Sequence, residues 1–375
     1  MRYVSCVVLA LLIATGASSA LAHKASDAYL QLEGGNTPTT LRIDVALRDL
    51  DVALDLDSDG DGNLTWGEVK SAWPLIESYV LARVELRGCP LTVAGRALER
   101  RIDGVYAAIT LKSTCLPADA PPITYGVMNE VDPTHRGLAR IVWAKHEGAL
   151  QVLVPQIMRA GVVPNAVAAN ASEPALQFLR EGMRHILSGY DHLLFLICLL
   201  LPAVMRRTEH GWQPVRNLKQ ALLPVLGIVT AFTVAHSITL VLAATQKIVI
   251  SPSFIEPAIA VTIILAAFDN LRPIFRGKRV AVTFFFGLIH GFGFASVLAE
   301  LNLPLRQFAV ALFQFNLGIE VGQVLVVTVV TMLFFGLRTL RSYSPVFIRG
   351  GSMVAIVIAA LWFVERVANV ALLAV

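Results

Sequence analysis

The second half of this chain most constrains what it can fold into, because apolar stretches follow one another there at about 186 to 204, 221 to 244, 254 to 271, 280 to 300, 307 to 336 and 350 to 366. Each is near the roughly 20 residues that a helix needs to cross about 30 Å of hydrocarbon. The fifth is long enough to tilt or protrude. Three alternate loops hold Arg206, Arg207, Arg216 and Lys219, then Arg272, Arg276, Lys278 and Arg279, then Arg338, Arg341 and Arg349; the other two loops and the tail offer Lys247, Arg306 and Arg366. Since cytoplasmic loops are enriched in Lys and Arg, this alternation predicts six transmembrane helices with both ends outside. Composition agrees: 55% hydrophobic and 15% charged residues leave too few polar groups to cover a globule of 375 residues. The basic residues of this half sit in short loops and form no single patch, which argues against nucleic acid as a partner.

Residues 1–22 read as a signal peptide: Arg2, an apolar run from Val4 to Thr15, and small residues ending in Ala20-Leu21-Ala22. Cleavage there would make His23 the first residue, with its α-amine and imidazole adjacent, a copper chelate if His135 or His146 approaches. The leader places the following domain outside the bacterial inner membrane, in the periplasm. That agrees with the topology from the loops.

Residues 23–158 alternate apolar and polar residues over Tyr29–Leu32, Leu41–Val45, Val84–Leu86, Tyr106–Leu111, Leu138–Trp143 and Leu150–Val154, broken by Gly, Pro and Asp. That period predicts strands with one buried face and a small β-rich domain, a sandwich. Residues 159–174 show neither period and serve as linker to a membrane domain over 175–375. Two cysteines of this exported part, Cys89 and Cys115, predict a disulfide in an oxidising compartment. Its closed loop would be worth roughly 3 kcal/mol in the chain-entropy model.

Asp57-Ser58-Asp59-Gly60-Asp61-Gly62-Asn63-Leu64-Thr65-Trp66-Gly67-Glu68 matches the twelve-residue EF-hand loop at its diagnostic positions. Hard Ca²⁺ takes six to eight oxygens. Asp57, Asp59 and Asp61 supply carboxylates, Asn63 its backbone carbonyl, Thr65 acts through water, and Glu68 closes the shell bidentately. A single such loop outside the cell reads as a structural staple, and Pro74 is expected to limit the helix after it to a short one.

Ionisable groups inside a bilayer are costly, so each is a functional candidate. The first stretch opens with His185, Asp191 and His192; the second holds His236; the third Glu256 and Asp269; the fourth His290; the fifth Asn316, Glu320 and Gln323. In the six-helix topology His192, His236, His290, Asn316 and Glu320 fall at one depth, roughly 10 to 20 Å from the outer edge. His185 and His192, seven apart, are expected on one face of a continuous helix leading inward. Gly287 and Gly291 flank His290 at the small-xxx-small spacing that lets a neighbouring helix approach. Three imidazoles with a carboxylate suit Ni²⁺, Zn²⁺ or Cu²⁺. A hydrogen-bonded packing network is the other reading, and Asp269-Asn270 is expected to cap or position its helix.

At these residues the sequence resembles the HupE/UreJ family, membrane proteins associated with nickel hydrogenases and urease. The first family motif, His, five residues, then Asp-His, is met by His185, Asp191 and His192. The second is met by Phe285, Gly287, His290 and Gly291, while Phe286 stands in place of its first histidine and Gly293 in place of its glutamate. His236 and Glu320 are offered as substitute ligands. The likeness is to the longer branch of the family, with an N-terminal periplasmic domain. It implies a nickel- or cobalt-type permease or metal accessory that serves hydrogenase, urease or other metalloenzyme maturation. Two further functions stay open: an intramembrane zinc-dependent hydrolase with Glu320 or Asp191 as base, and a periplasmic module that presents cargo to the membrane.

Overall fold

The computed structural model describes residues 27–101, 104–132, 134–144, 146–156, 176–209, 211–245, 247–248, 250–275, 277–293 and 305–368. The leader, His23, the linker over 159–174 and the end of the fourth apolar stretch from 294 to 300 lie outside these residues. The chain divides into two compact units, with the sequence boundary between Gln177 and Phe178.

In the first unit, β1 (Asp27–Gly34) and β2 (Thr39–Ala46) pair antiparallel, with Leu30 opposite Ile43 and Leu32 opposite Leu41. Because side chains alternate along a strand, that register sends these four to one face. After α1 (Leu47–Leu54) and α2 (Trp66–Leu81) come β3 (Val84–Leu86), β4 (Thr92–Arg101), β5 (Gly104–Ser113), β6 (Ile123–Tyr125), β7 (Arg136–Trp143) and β8 (His146–Leu153). The main sheet runs β4-β5-β2-β1-β7-β8, with β1 and β7 parallel and β3–β6 as a separate ribbon. Leu30, Leu32, Leu41, Ile43, Ile109 and Leu111 share one core with Val69, Trp73, Ile76 and Val80 of α2. The expected sandwich is therefore a single six-stranded sheet whose core is completed by a helix and a two-stranded ribbon.

Helix α2 also corrects the short exit helix, since it runs sixteen residues with Pro74 inside it. A proline in a helix interior costs about 3 kcal/mol. Burial of Trp73, Ile76 and Val80 outweighs it at roughly 1.5–3 kcal/mol for each fully buried large apolar side chain. Strand β4 escaped the sequence reading because it is an edge strand rich in charge, with a register shift between Val93 and Gly95. Cys89 and Cys115 form a disulfide with Cα atoms 5.6 Å apart.

The second unit is helical: α3 (Gln177–Ser188), α4 (Tyr190–Leu200), α5 (Leu218–Ala244), α6 (Pro252–Leu271), α7 (Arg279–Phe292), α8 (Leu305–Leu337), and a π-helical turn over Tyr343–Gly350 that continues into α9 (Gly351–Ala368). Among the described residues, four segments are long and apolar enough to cross a membrane: Leu218–Ala243, Ser253–Leu271, Gln307–Leu337 and Tyr343–Ala368. Helices α3 and α4 reach that length together but are bent by 67°, and α7 is a shorter apolar helix. The first apolar stretch is thus no straight helix. It breaks at Gly189, where an added Cβ would lie 2.7 Å from the His185 carbonyl and 3.0 Å from His192 Nδ1. The loop between α4 and α5 carries a small hairpin of β9 (Met205–Thr208) and β10 (Gly211–Pro214).

Glycines set the helix spacing. A Cβ on Gly287 would lie 2.4 Å from the Phe232 carbonyl, and one on Gly291 would lie 2.5 Å from the His236 carbonyl, so α5 and α7 touch through backbone. Gly182 and Gly318 do the same for α3 and α8. At the far end of α6, Asp269 accepts from the amides of Ile274 and Phe275 and pairs with Arg279, while Asn270 donates to the Cys198 carbonyl. This is the expected cap.

Candidate metal centres

In the loop before α2, Gly60 and Gly62 take positive φ of 70° and 79°, which turns the chain tightly. Asp57 accepts from the amides of Gly60 (2.9 Å) and Gly62 (2.7 Å), and Asp61 accepts from that of Asn63 (2.7 Å). Glu68 closes the loop. It accepts from the Thr65 amide and hydroxyl, each at 2.8 Å, and from the Ser58 amide at 2.9 Å. Thr65 and Glu68 also form the capping box that starts α2, so the last loop position and the helix start are set by the same residues. The bonds from Thr65 and Ser58 hold the Glu68 carboxyl down at about 2. At Asp59 the hydrogen bond from the Asp61 amide is the largest single influence and pulls downward, but the charge of Asp61, desolvation and the Asp57 and Glu68 carboxylates together outweigh it, and the net direction is upward. Asp57, Asp59 and Asp61 present ligand oxygens within 4.8 Å of one another, which suits a hard cation. Leu64 packs against the unit's core.

In the helical unit, the bend at Gly189 brings His185 and His192 together with ring centroids 4.8 Å apart. His192 lies 5.3 Å from His290 and 6.3 Å from His236, and His236 lies 6.4 Å from His185. Four histidines from α3, α4, α5 and α7 thus form one cluster, and the last three are buried. Phe195 and Phe232 close on it at 5.3 and 5.2 Å from His290.

The hydrogen bonds fix what the rings offer. Asp191, in the first turn of α4, accepts from the His192 amide (2.8 Å) and faces His192 Nδ1 at 2.9 Å, which leaves Nε2 bare and without a partner. Thr262 donates its single hydroxyl proton to the Ile259 carbonyl at 2.7 Å, so His290 Nε2, 2.9 Å away, is the donor to Thr262. His290 Nδ1 is then a bare lone pair, buried and unpartnered. Both nitrogens of His236 are buried without a partner. Unpaired buried polar atoms are costly and rare in an apolar interior, and three adjacent imidazoles with free lone pairs are the donor set that borderline divalent ions take. Asp191 and Thr262 act behind the rings and orient them.

Glu320 lies beside this cluster. Its Oε1 accepts from Thr230 at 3.0 Å, six residues or about 9 Å along α5 from His236, and its Oε2 is buried without a partner. Gln323 pairs with Thr233 at 2.8 Å, and Asn316 donates to the Leu312 carbonyl. Among the described residues, the aspartates of the first unit form the group of three whose ligand atoms all approach within 4.8 Å, so the ring nitrogens of the cluster are spaced more widely. Thr262 was not singled out from the sequence; its signal was a lone hydroxyl between Val261 and Ile263.

A family model described as HupE / UreJ protein matches residues 163–366, more than half of the chain. The chain belongs to the HupE/UreJ family. It is therefore a membrane protein of a family whose members handle metal ions, and the match spans every helix of the cluster. No curated protein and no solved structure matches. Phe286, where the HupE/UreJ motif has its first histidine, lies one turn before His290 on α7 and packs 6.0 Å from Phe195. Gly293 ends α7, and a Cβ there would lie 3.2 Å from the His290 carbonyl.

Proposed function

We propose that this HupE/UreJ protein passes a divalent transition ion, nickel or cobalt in the first place, inward across the bacterial inner membrane through the histidine cluster. The observation that carries the reading is the set of bare, buried lone pairs on His192, His236 and His290. His185 stands at the mouth and hands the ion on, Asp191 and Thr262 set the tautomers, and small inward swings of the rings bring the nitrogens to one ion. In this reading α3 with α4 make the first of six spans, α7 with the residues after it makes the fourth, and the basic loops face the cytoplasm. The leader exports the N-terminal unit to the periplasm. Its loop from Asp57 to Glu68 holds Ca²⁺ as a staple at the start of α2. Delivery of the ion to a metalloenzyme maturation system, such as that of a hydrogenase or urease, completes the proposal.

Vesicles containing the full chain should accumulate radioactive nickel or cobalt, and His236→Ala should remove that uptake while leaving folding intact, because His236 makes no hydrogen bond whose loss would destabilise it. Equal uptake by the wild type and His236→Ala would overturn the transport reading. Metal-dependent release of a hydrolysis product by the same preparation, lost in His236→Ala, would assign the cluster to an enzyme instead.

A further inference from the structure

Near the histidine cluster lies a second set of unsatisfied groups with the opposite chemistry. On α9, Trp362 and Arg366 are one turn apart on the same face, and the guanidinium lies 5.9 Å from the indole ring. Trp362 is 4% exposed, and its Nε1 has no partner. Arg366 meets Glu256 of α6 through Nε at 3.7 Å, while its Nη1 is buried and unpartnered. Both unsatisfied atoms are N–H donors. Buried donors call for an acceptor oxygen, and a guanidinium favours a carboxylate or phosphate.

These donors are close to the cluster. On α6, Glu256 precedes Thr262 by six residues, so the Arg366 pair and the bond from His290 to Thr262 are separated by a rise of about 9 Å along that helix. Trp362 belongs to the same packed cluster as Phe195 and Phe232, the two rings against His290. Glu256 meets the guanidinium only through Nε, so Nη1 stays open to a second carboxylate, which a metal carboxylate complex would bring.

We propose that the histidine cluster and the Trp362–Arg366 pair form one composite site that takes the divalent ion as its complex with a small carboxylate chelator, whose free carboxylate accepts from Arg366 Nη1 and Trp362 Nε1. This rests on the metal reading of the cluster and adds the chemical form of the substrate. Imidazoles replace part of the chelator's hold on the ion while the donors keep the chelator in place.

The test uses the full chain in proteoliposomes with ⁶³Ni²⁺, offered free or with citrate at equal free-ion concentration. Citrate should raise uptake by the wild type. Arg366→Gln and Trp362→Phe, which keeps the ring and removes the N–H, should each remove that citrate-dependent part, a loss of roughly ten- to hundredfold in apparent affinity for the complex. Both should retain uptake of the free ion, and His236→Ala should lose both. Uptake that follows the free-ion concentration alone, identically in wild type, Arg366→Gln and Trp362→Phe, would overturn the proposal and leave the metal reading standing. Phospholipid that co-purifies with the wild type but not with Arg366→Gln, without any citrate effect, would assign the donors to a lipid headgroup and also overturn it. Absence of uptake in every arm, with no effect of His236→Ala on nickel binding, would sink the metal reading itself.

Discussion

Replacing Gly287 by Ala tests whether the spacing of α5 and α7 sets the metal site. The added Cβ would stand 2.4 Å from the Phe232 carbonyl and 3.0 Å from the Ala235 side chain. Ordinary contact begins near 3.4 Å, so the two helices must part by about 1 Å, and overpacking of this kind costs typically 1–3 kcal/mol. His236 rides on α5 and His290 on α7, so the same displacement pulls two of the three bare imidazoles apart. A shift of 1 Å is large against a first coordination shell near 2 Å, and nickel affinity should fall by at least tenfold. Gly227→Ala is the control, because it makes the same change within α5 where a Cβ would meet nothing within 4 Å. The assay is the melting temperature of the detergent-solubilised protein with and without Ni²⁺. Gly287→Ala should lower the melting temperature and lose most of the nickel-induced rise, whereas Gly227→Ala should do neither. If Gly287→Ala keeps both, helix spacing does not set this site.

Thr262→Val removes the acceptor that fixes the His290 tautomer and should weaken nickel binding roughly 10- to 100-fold, as losses behind a metal ligand do; Thr262→Ser should restore it, and equal affinity of Val and Ser variants would refute the role. Asp191→Asn should weaken binding by a similar factor through His192, read by isothermal titration. Ca²⁺ should raise the melting temperature of the first unit's transition in the wild type but not in Asp57→Ala or Glu68→Gln, and equal curves with calcium and with chelator would refute the staple. Without calcium, the Glu68 carboxyl, held near 2 against an ordinary 4.5, stabilises the fold fully above about 4.5 and loses that effect as the pH falls toward 2. Glu68→Gln should therefore show a shallower loss of melting temperature across that window. Quantitative thiol labelling of Cys89 and Cys115 in native protein would refute their disulfide; replacing both by Ser should cost about 3 kcal/mol on the chain-entropy scale.

Much of this protein is written in local pattern. Apolar length and the placement of Lys and Arg announce helices suited to a membrane, because the bilayer imposes one length and one charge rule on any chain that crosses it. The loop from Asp57 to Glu68 is legible as a candidate cation site because its acidic residues lie within twelve positions, at the spacing that Ca²⁺ would require. His192, His236 and His290 stand out one by one, since charge and polarity are conspicuous in apolar sequence. Only the tertiary structure decided how these pieces act together. The bend at Gly189 folds His185 onto His192, Pro74 is carried through α2 by packing, and edge strand β4 forms by pairing with β5. Thr262 gains its meaning from a ring 28 residues away, and Trp362 and Arg366 from burial against other helices. A hydrogen bond between distant segments depends on where two backbones come to rest, and that is settled by close packing over the whole helical unit, down to glycines that let α5 and α7 meet.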